Sequence, residues 1–253
     1  MHPELATLEW HGVTRTIGSY GAMLVLALWA GSMLALARGK RLGLEQGALI
    51  SSLGLAVGAG FVGAFVCSVA VRWVQLGSLR EALAAPGIVF YGALSGGALG
   101  LWAGARWFEL PWRVTFDAML PALPIAHALG RIGCLLGGCC YGAACDLPWA
   151  LRYPGEAFTR HPWPLYEAAA LCLLALLFWR PHAFGLRAPG QRALAYVLCY
   201  AGLRLVLEPL RGDAVRGVFQ LLPAFALSSS QLLSLAAIAL CALGLRALRP
   251  ASA

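Results

Sequence analysis

The amino-acid sequence predicts an all-α protein that crosses a membrane several times, with residues 1–253 forming one integral membrane domain. Hydrophobic residues make up 60% of the chain and charged residues only 12%, whereas about 25% of the residues in ordinary soluble domains are charged. The mean hydropathy is +0.74. A soluble fold of this length cannot bury so much apolar surface, so a lipid bilayer must cover part of it.

Seven apolar runs predict seven transmembrane helices, because about 20 consecutive apolar residues cross the hydrocarbon core of a bilayer. The fourth run contains Pro121 and Pro124, and the fifth and sixth runs are the shortest. The longest stretch between runs, at about 137–163, is a predicted loop. The runs cover residues 16–37, 48–71, 86–104, 116–136, 164–179, 193–207 and 226–245.

Basic residues are dense in the odd-numbered connections between these runs and in the C-terminal tail. By the positive-inside rule those segments are cytoplasmic, so the N-terminus and the loop at 137–163 are expected outside. The net charge of +8 is explained in this way, and no basic stripe with interleaved aromatic residues predicts nucleic-acid binding. The residues concerned are Arg38, Lys40, Arg41, Arg106, Arg113, Arg180, Arg187, Arg192, Arg246 and Arg249.

The segment RLVLEPLR places three ionisable residues at membrane depth, where charge is costly and indicates function. Arg204, Glu208 and Arg211 follow the spacing i, i+4, i+7, so a continuous helix would stack them on one face. Glu208 could then pair with both arginines and leave part of each guanidinium for an anion. Pro209 interrupts the helix there, and a purely structural ion-pair ladder is the alternative.

Two further segments carry candidate functional residues. Arg131, between Gly130 and Gly133 in the fourth run, has the planar guanidinium that suits bidentate phosphate binding; the alternative is an arginine that reaches the interface. In RHPWPLYEA, His161 is a candidate proton carrier, and Tyr166 and Glu167 fall in the first turns of a helix. There the alternative is interfacial anchoring by Trp163 and Tyr166.

Four cysteines, Cys134, Cys139, Cys140 and Cys145, follow the pattern C-x4-C-C-x4-C. Zinc and iron–sulfur sites favour C-x2-C pairs, so this spacing predicts no metal. A disulfide of Cys134 or Cys139 with Cys145 is conceivable on an external face. The remaining four cysteines lie in apolar runs and are expected to pack as small side chains.

The segment GRIGCLLGGCCYG resembles the hallmark of the prolipoprotein diacylglyceryl transferase family, G-R-x-G-N-F-x-N-x-E-x-x-G. Cys134 and Gly137 stand where the family has its two asparagines, and Cys139 stands where it has the glutamate. The matching positions are Gly130, Arg131, Gly133 and Gly142.

Further motifs of this family recur in order along the chain. HPWPLYE resembles the family's H-P-x-Q-L-Y-E, with Pro164 in place of the glutamine, and R-x3-E-x2-R is intact in RLVLEPLR. VFYGA resembles S-F-H-G-G, so Tyr91 takes the place of the histidine. SYGAML, which contains Tyr20, resembles the start of the family's first helix, and LSSSQLLSL resembles the start of its seventh.

The resemblance implies a seven-helix enzyme of the bacterial inner membrane with its active site toward the outer face. The family transfers a diacylglyceryl group from phosphatidylglycerol to the lipobox cysteine of a prolipoprotein, forms a thioether and needs no metal or organic cofactor. The implied catalytic residues are Arg131, Arg204, Tyr91 and His161. The implied substrate-binding residues are Arg211, Glu208, Tyr20, Tyr166, Glu167, Gly133, Gly142, Cys134 and Cys139.

Three other functions remain open at the level of sequence. A protein of the same fold could transfer a lipid group to another acceptor. A thiol-redox membrane protein could use the four clustered cysteines. A non-catalytic lipid-binding protein would also retain the arginines.

Overall fold

The computed structural model describes residues 1–10, 13–84, 90–180, 183–212, 218–222 and 225–248. Within these residues the protein is mostly helical, with nine α-helices. They are α1 Ser19–Arg41, α2 Gln46–Leu76, α3 Leu79–Ala84, α4 Phe90–Trp107, α5 Trp112–Ala118, α6 Ala122–Leu136, α7 Trp163–Trp179, α8 Gln191–Leu207 and α9 Ser229–Ala247.

Three two-stranded antiparallel ribbons accompany the helices in the described parts of the chain. The all-α prediction therefore holds for the long apolar elements and misses the ribbons, because these are short and lack a long alternating pattern. The strands are β1 Glu4–Trp10 paired with β2 Val13–Gly18, β3 Leu151–Arg152 with β4 Thr159–Arg160, and β5 Val218–Leu222 with β6 Phe225–Ser228.

Four of the described helices are long and apolar enough to cross a membrane, namely α1, α2, α8 with the turn that follows it, and α9. The pair α5 and α6 would make a fifth span that is bent by 45°. Helix α7 is apolar but shorter than a full span, and α4 is rich in glycine. The multi-pass membrane class is thus supported by four to five candidate spans among the described residues.

The fourth apolar run was predicted as one helix over 116–136, and this prediction is wrong. The chain breaks between α5 and α6, and Pro121 precedes the first residue of α6. Proline has no backbone N–H and disrupts a helix interior, whereas Pro124 falls in the first turn of α6, where a missing N–H is tolerated. The break sets the start of the helix that carries Arg131.

The described chain forms two compact units. One comprises Leu36–Ala118, and in it α2 and α4 pack closely along glycines. A Cβ atom on Gly63 would collide with the carbonyl of Gly92, and one on Gly96 with the carbonyl of Ala59. Small residues at these positions let the two helix backbones approach, as is common between membrane helices.

The other unit comprises Met1–Ala35 and Met119–Ala253. In it α7 packs between α6 and α8, and α8 packs on α9. Leu171 of α7 is fully buried against Ala128 and Ala168, and Phe178 of α7 is fully buried against Tyr196 of α8. This packing brings one face of α6, α7 and α8 together, and the ionisable residues lie on that face.

Candidate active site

Glu167 is a fully buried carboxylate in the second turn of α7 and lies at the centre of a charged cluster. Its Oε2 is 2.8 Å from Nε of Arg131 on α6 and 3.7 Å from Nη1 of Arg204 on α8. Its Oε1 accepts a hydrogen bond of 2.7 Å from the hydroxyl of Tyr200 and lies 3.8 Å from Nε2 of His127. Three helices therefore fix both arginines through one acidic side chain.

Arg204 connects this carboxylate to a second one. Its Nη2 donates to Oε2 of Glu208 at 2.8 Å, and its Nε donates to the hydroxyl of Ser230 at 3.1 Å. Arg204 and Glu208 are 5% and 2% exposed. A buried guanidinium with ion-pair and hydrogen-bond partners on several sides holds one position, which is what preorganised binding of an anion requires.

The predicted interruption of the helix at Pro209 is confirmed, so Arg211 does not continue the helical face of Arg204 and Glu208. Helix α8 ends at Leu207, a 3₁₀ turn covers Glu208–Leu210, and Arg211 pairs with Gly142 in a short antiparallel bridge. Pro209 lies in that turn, where it cannot continue the hydrogen bonds of the helix. Arg211 therefore reaches the site from an extended segment.

Trp163 joins the three arginines. Its ring centre lies 5.2 Å from Cζ of Arg131, 4.9 Å from that of Arg204 and 5.1 Å from that of Arg211. The side chain is fully buried, and its Nε1 donates to the carbonyl of Leu207 at 2.9 Å. Cations within about 6 Å of an aromatic ring are attracted to its face.

Interfacial anchoring was the alternative for Trp163, and the buried position contradicts it.

We call Arg131, Arg204, Arg211, Glu167 and Glu208, together with Trp163, the arginine cluster. Three guanidinium groups face two carboxylates in this set, so its formal charge is +1. A buried site with surplus positive charge suits an anionic group such as a phosphate diester.

The loop after α6 is tied to this cluster by backbone hydrogen bonds. Gly142 N donates to the carbonyl of His161 at 3.0 Å, and Ala143 N donates to that of Leu210 at 2.8 Å. A Cβ atom on Gly142 would lie 2.5 Å from Cβ of His161 and 2.8 Å from the Leu210 carbonyl oxygen. Only glycine fits there, so the observed role of Gly142 is close backbone packing beside Arg211.

His161 and Tyr166 form a neighbouring group. Nδ1 of His161 lies 3.2 Å from the hydroxyl of Tyr166, which also accepts a 2.8 Å hydrogen bond from Nε1 of Trp149. Tyr20 packs at the start of α1, where a Cβ atom on Gly133 would lie 3.3 Å from its ring. The structure thus gives Gly133 a close-packing role between α6 and α1.

Tyr91 is the predicted site residue that the structure leaves open. Its backbone lies near the start of α4, and its side chain lies outside the described part of the chain. Its predicted catalytic role stays a prediction.

The cysteines after Arg131 form a second group of side chains. The sulfur atoms of Cys134, Cys139 and Cys140 all lie within 4.8 Å of one another, and we call these three the thiol cluster. Every cysteine in the chain is a free thiol, so the conceivable disulfides to Cys145 are not formed. Hydrogen bonds from the Cys134 and Cys139 thiols lower the pKa of Cys140, and the positive charges of Arg131 and Arg211 act in the same direction.

Sequence reasoning missed the parts played by Trp163, Tyr200 and Ser230. One signal was available: Trp163 precedes Glu167 by four residues and therefore shares its helix face. Ser230 lies in the first turn of α9, between Ser228 and Gln231, which form the capping box of that helix, and no spacing relates it to Arg204.

Comparison with known proteins decides the family. A family model described as prolipoprotein diacylglyceryl transferase matches residues 10–246. The chain belongs to the prolipoprotein diacylglyceryl transferase family. The resemblance read from the motifs is thereby confirmed.

Individual members of this family align over most of the chain. It is 32% identical over 232 residues to "Phosphatidylglycerol--prolipoprotein diacylglyceryl transferase 2" of Clostridium perfringens, which covers 87% of this chain and 86% of that protein. It is 30% identical over 229 residues to the transferase of Clostridium tetani, with 87% and 88% covered. Over 134 residues, 49% of each chain, it is 39% identical to the transferase of Methylibium petroleiphilum.

Proposed function

We propose that this protein transfers the diacylglyceryl group of phosphatidylglycerol to the cysteine thiol of a prolipoprotein and forms a thioether. The arginine cluster carries the proposal, because a buried site of formal charge +1 suits the phosphate of an anionic phospholipid. The names of the relatives in this family support the same donor and acceptor.

The reaction is a displacement at carbon. The acceptor sulfur attacks C3 of the donor's glycerol, the bond between C3 and the phosphate oxygen breaks, and glycerol phosphate leaves with the electron pair. Arg131 and Arg204 stabilise the charge that grows on that oxygen. Arg211 binds the phosphate beside them, and Glu167 and Glu208 hold the guanidinium groups in place.

The acceptor must lose its proton, because the thiolate is the nucleophile. The resemblance assigns this step to Tyr91, which replaces the family's histidine, or to His161. Tyr166 is the partner of His161 at 3.2 Å. Tyr20, Gly133, Gly142, Cys134 and Cys139 are proposed to shape the pocket for headgroup and acceptor around the arginine cluster.

We further propose seven spans, an external N-terminus, a cytoplasmic C-terminus and a single membrane domain over 1–253. This arrangement places the loop at 137–163 and the arginine cluster toward the outer face of the bacterial inner membrane. The density of basic residues in the odd-numbered connections supports it. The resemblance to the family implies an active site at the same face.

The proposal is tested in a bacterium that is depleted of its own transferase. Expression of the wild-type chain is expected to restore growth and the diacylglyceryl modification of a reporter lipoprotein. Arg131→Ala is expected to abolish rescue, whereas Arg152→Ala, an exposed arginine of β3, is expected to rescue like the wild type. An unmodified reporter despite normal membrane expression of the wild type would overturn the proposal.

A further inference from the structure

Three sulfur ligands converge next to the arginine cluster. The thiols of Cys134, Cys139 and Cys140 lie within 4.8 Å of one another, and no fourth cysteine, histidine or acidic residue of the described chain joins them. Cys134 is buried, Cys140 is half-buried and Cys139 is exposed. The thiol cluster is therefore buried at Cys134 and accessible from outside at Cys139.

The backbone of the turn holds this convergence. Gly138 and Cys140 have φ angles of +71° and +58°, so the chain reverses on both sides of Cys139. The amide of Cys139 donates to the carbonyl of Cys134 at 3.0 Å. A positive φ costs energy at a residue other than glycine, and it persists at Cys140 because the neighbouring hydrogen bonds fix the turn.

This ligand set fits a soft divalent cation. Thiolates select zinc or monovalent copper, and zinc sites with three protein ligands keep a fourth position for water or substrate. Zinc–sulfur bonds of about 2.3 Å at tetrahedral angles place the sulfur atoms about 3.8 Å apart, so closure by at most about 1 Å completes the site. The spacing of the cysteines in the sequence predicted no metal. The C-x2-C rule does not cover a turn that brings Cys139 and Cys140 back to Cys134 at the end of α6.

Two arginines act electrostatically on the thiol cluster. Zinc with three thiolates has a net charge of −1, and a fourth thiolate makes it −2. Arg131 and Arg211 interact electrostatically with Cys140 and oppose this charge. The same two arginines belong to the proposed phosphate site, so a thiolate on the metal would lie beside the donor's phosphate.

We propose that Cys134, Cys139 and Cys140 bind a zinc ion and that its fourth position takes the acceptor thiol, an inference that rests on the proposed function. A thiol bound to zinc is deprotonated outright, so the metal supplies the thiolate in a chain that lacks the family's third-helix histidine. The metal thus takes over the task that the resemblance gives to Tyr91 or His161.

The acceptor thiol displaces zinc-bound hydroxide, which leaves as water with the thiol proton. The sulfur lone pair forms the bond to glycerol C3, and the C3–O bond breaks toward the phosphate. The thioether is a weaker zinc ligand than the thiolate, so water replaces it and loses one proton to solvent.

Metal binding is tested without any assay of transfer. Protein purified without chelator is expected to bind one equivalent of zinc, and cobalt(II) in its place is expected to give the strong near-ultraviolet absorption of thiolate ligands. Cys134→Ser, Cys139→Ser and Cys140→Ser should each lose at least tenfold in zinc affinity. Cys145→Ser is the matched control and should bind like the wild type.

Three outcomes would overturn the site: no zinc above a detergent blank, equal loss in Cys145→Ser, or recovery of two of the three cysteines as a disulfide in native membranes. The open position is tested on the cobalt protein. A lipobox peptide should change the visible spectrum of the cobalt ion, and the same peptide with serine for its cysteine should not. An unchanged spectrum with both peptides would overturn the acceptor role.

Chelation of the metal separates the role of zinc from the transfer reaction itself. With zinc bound, transfer to a lipobox peptide should fall at least tenfold after chelation and return when zinc is added. Transfer that chelation leaves unchanged overturns the role of the metal and leaves the proposed function intact. Protein that binds zinc at the three thiols but transfers nothing overturns the proposed function and leaves the metal site standing.

Discussion

The arginine cluster and the thiol cluster are neighbours in the chain, yet different interactions build them. The first is assembled by side chains from α6, α7 and α8 and the segment after α8, all converging on Trp163 and Glu167. The second is assembled within one turn, by a backbone hydrogen bond and two positive φ angles. Substitutions in the first should affect folding and activity together, whereas substitutions in the second should affect chemistry with little change in stability.

The largest effect is expected for Arg204→Ala. This change leaves Glu167 and Glu208 buried without the guanidinium between them, and such a loss costs about 3–5 kcal/mol. Transfer should fall by at least about a hundredfold, because one donor to the developing phosphate charge is lost. Turnover and the thermal unfolding midpoint in detergent are measured side by side, with Arg152→Ala as control. Normal turnover in a folded Arg204→Ala protein would show that the arginine cluster takes no part in the reaction.

A smaller, more selective effect is expected for Glu167→Gln. The amide can still accept the hydrogen bond from Tyr200, but the charge between Arg131 and Arg204 is gone. Hydrogen bonds to charged groups contribute about 1.5–3 kcal/mol, so kcat should fall about tenfold to a hundredfold. KM for phosphatidylglycerol should not rise, because the positive charge remains. A raised KM at unchanged kcat would mean that Glu167 binds substrate and does not position the arginines.

Gly142→Ala is expected to have the smallest effect on the transfer rate. It should nevertheless disturb the loop after α6. The added methyl group meets Cβ of His161 and two carbonyl oxygens at 2.5–2.9 Å, and overpacking of this kind costs about 1–3 kcal/mol. Labelling of Cys139 and Cys140 by a thiol reagent should become faster. In Gly130→Ala the new methyl group meets nothing within 4 Å, so that variant should label like the wild type. Equal labelling rates in both variants would show that the thiol cluster does not depend on the pairing of Gly142 with Arg211.

The sequence was most informative where one physical signal dominates. Long apolar runs predicted the long helices, and the cost of charge at membrane depth selected Arg131, Arg204 and Glu208 before any contact was known. It failed where position depends on several segments at once. Nothing local indicates that Trp163 lies among three guanidinium groups or that Ser230 holds Arg204.

Turns were the other source of error. Spacing rules treat cysteines as if they lay on regular elements, so they missed a reversal at Gly138 and Cys140 that brings three thiols together. The same limitation hid the break between α5 and α6, because hydropathy averages over a single proline. Backbone geometry at a few residues decided both features.

The proposed transfer is measured most directly by the mass of a lipobox peptide after incubation with the purified protein and isotopically labelled phosphatidylglycerol. The peptide is expected to gain one labelled diacylglyceryl group on its cysteine, with release of glycerol phosphate. Arg204→Ala should leave the peptide unmodified, and Arg152→Ala should not. An unmodified peptide with folded wild-type protein, or an equal adduct with Arg204→Ala, would contradict the assignment of the arginine cluster to this transfer.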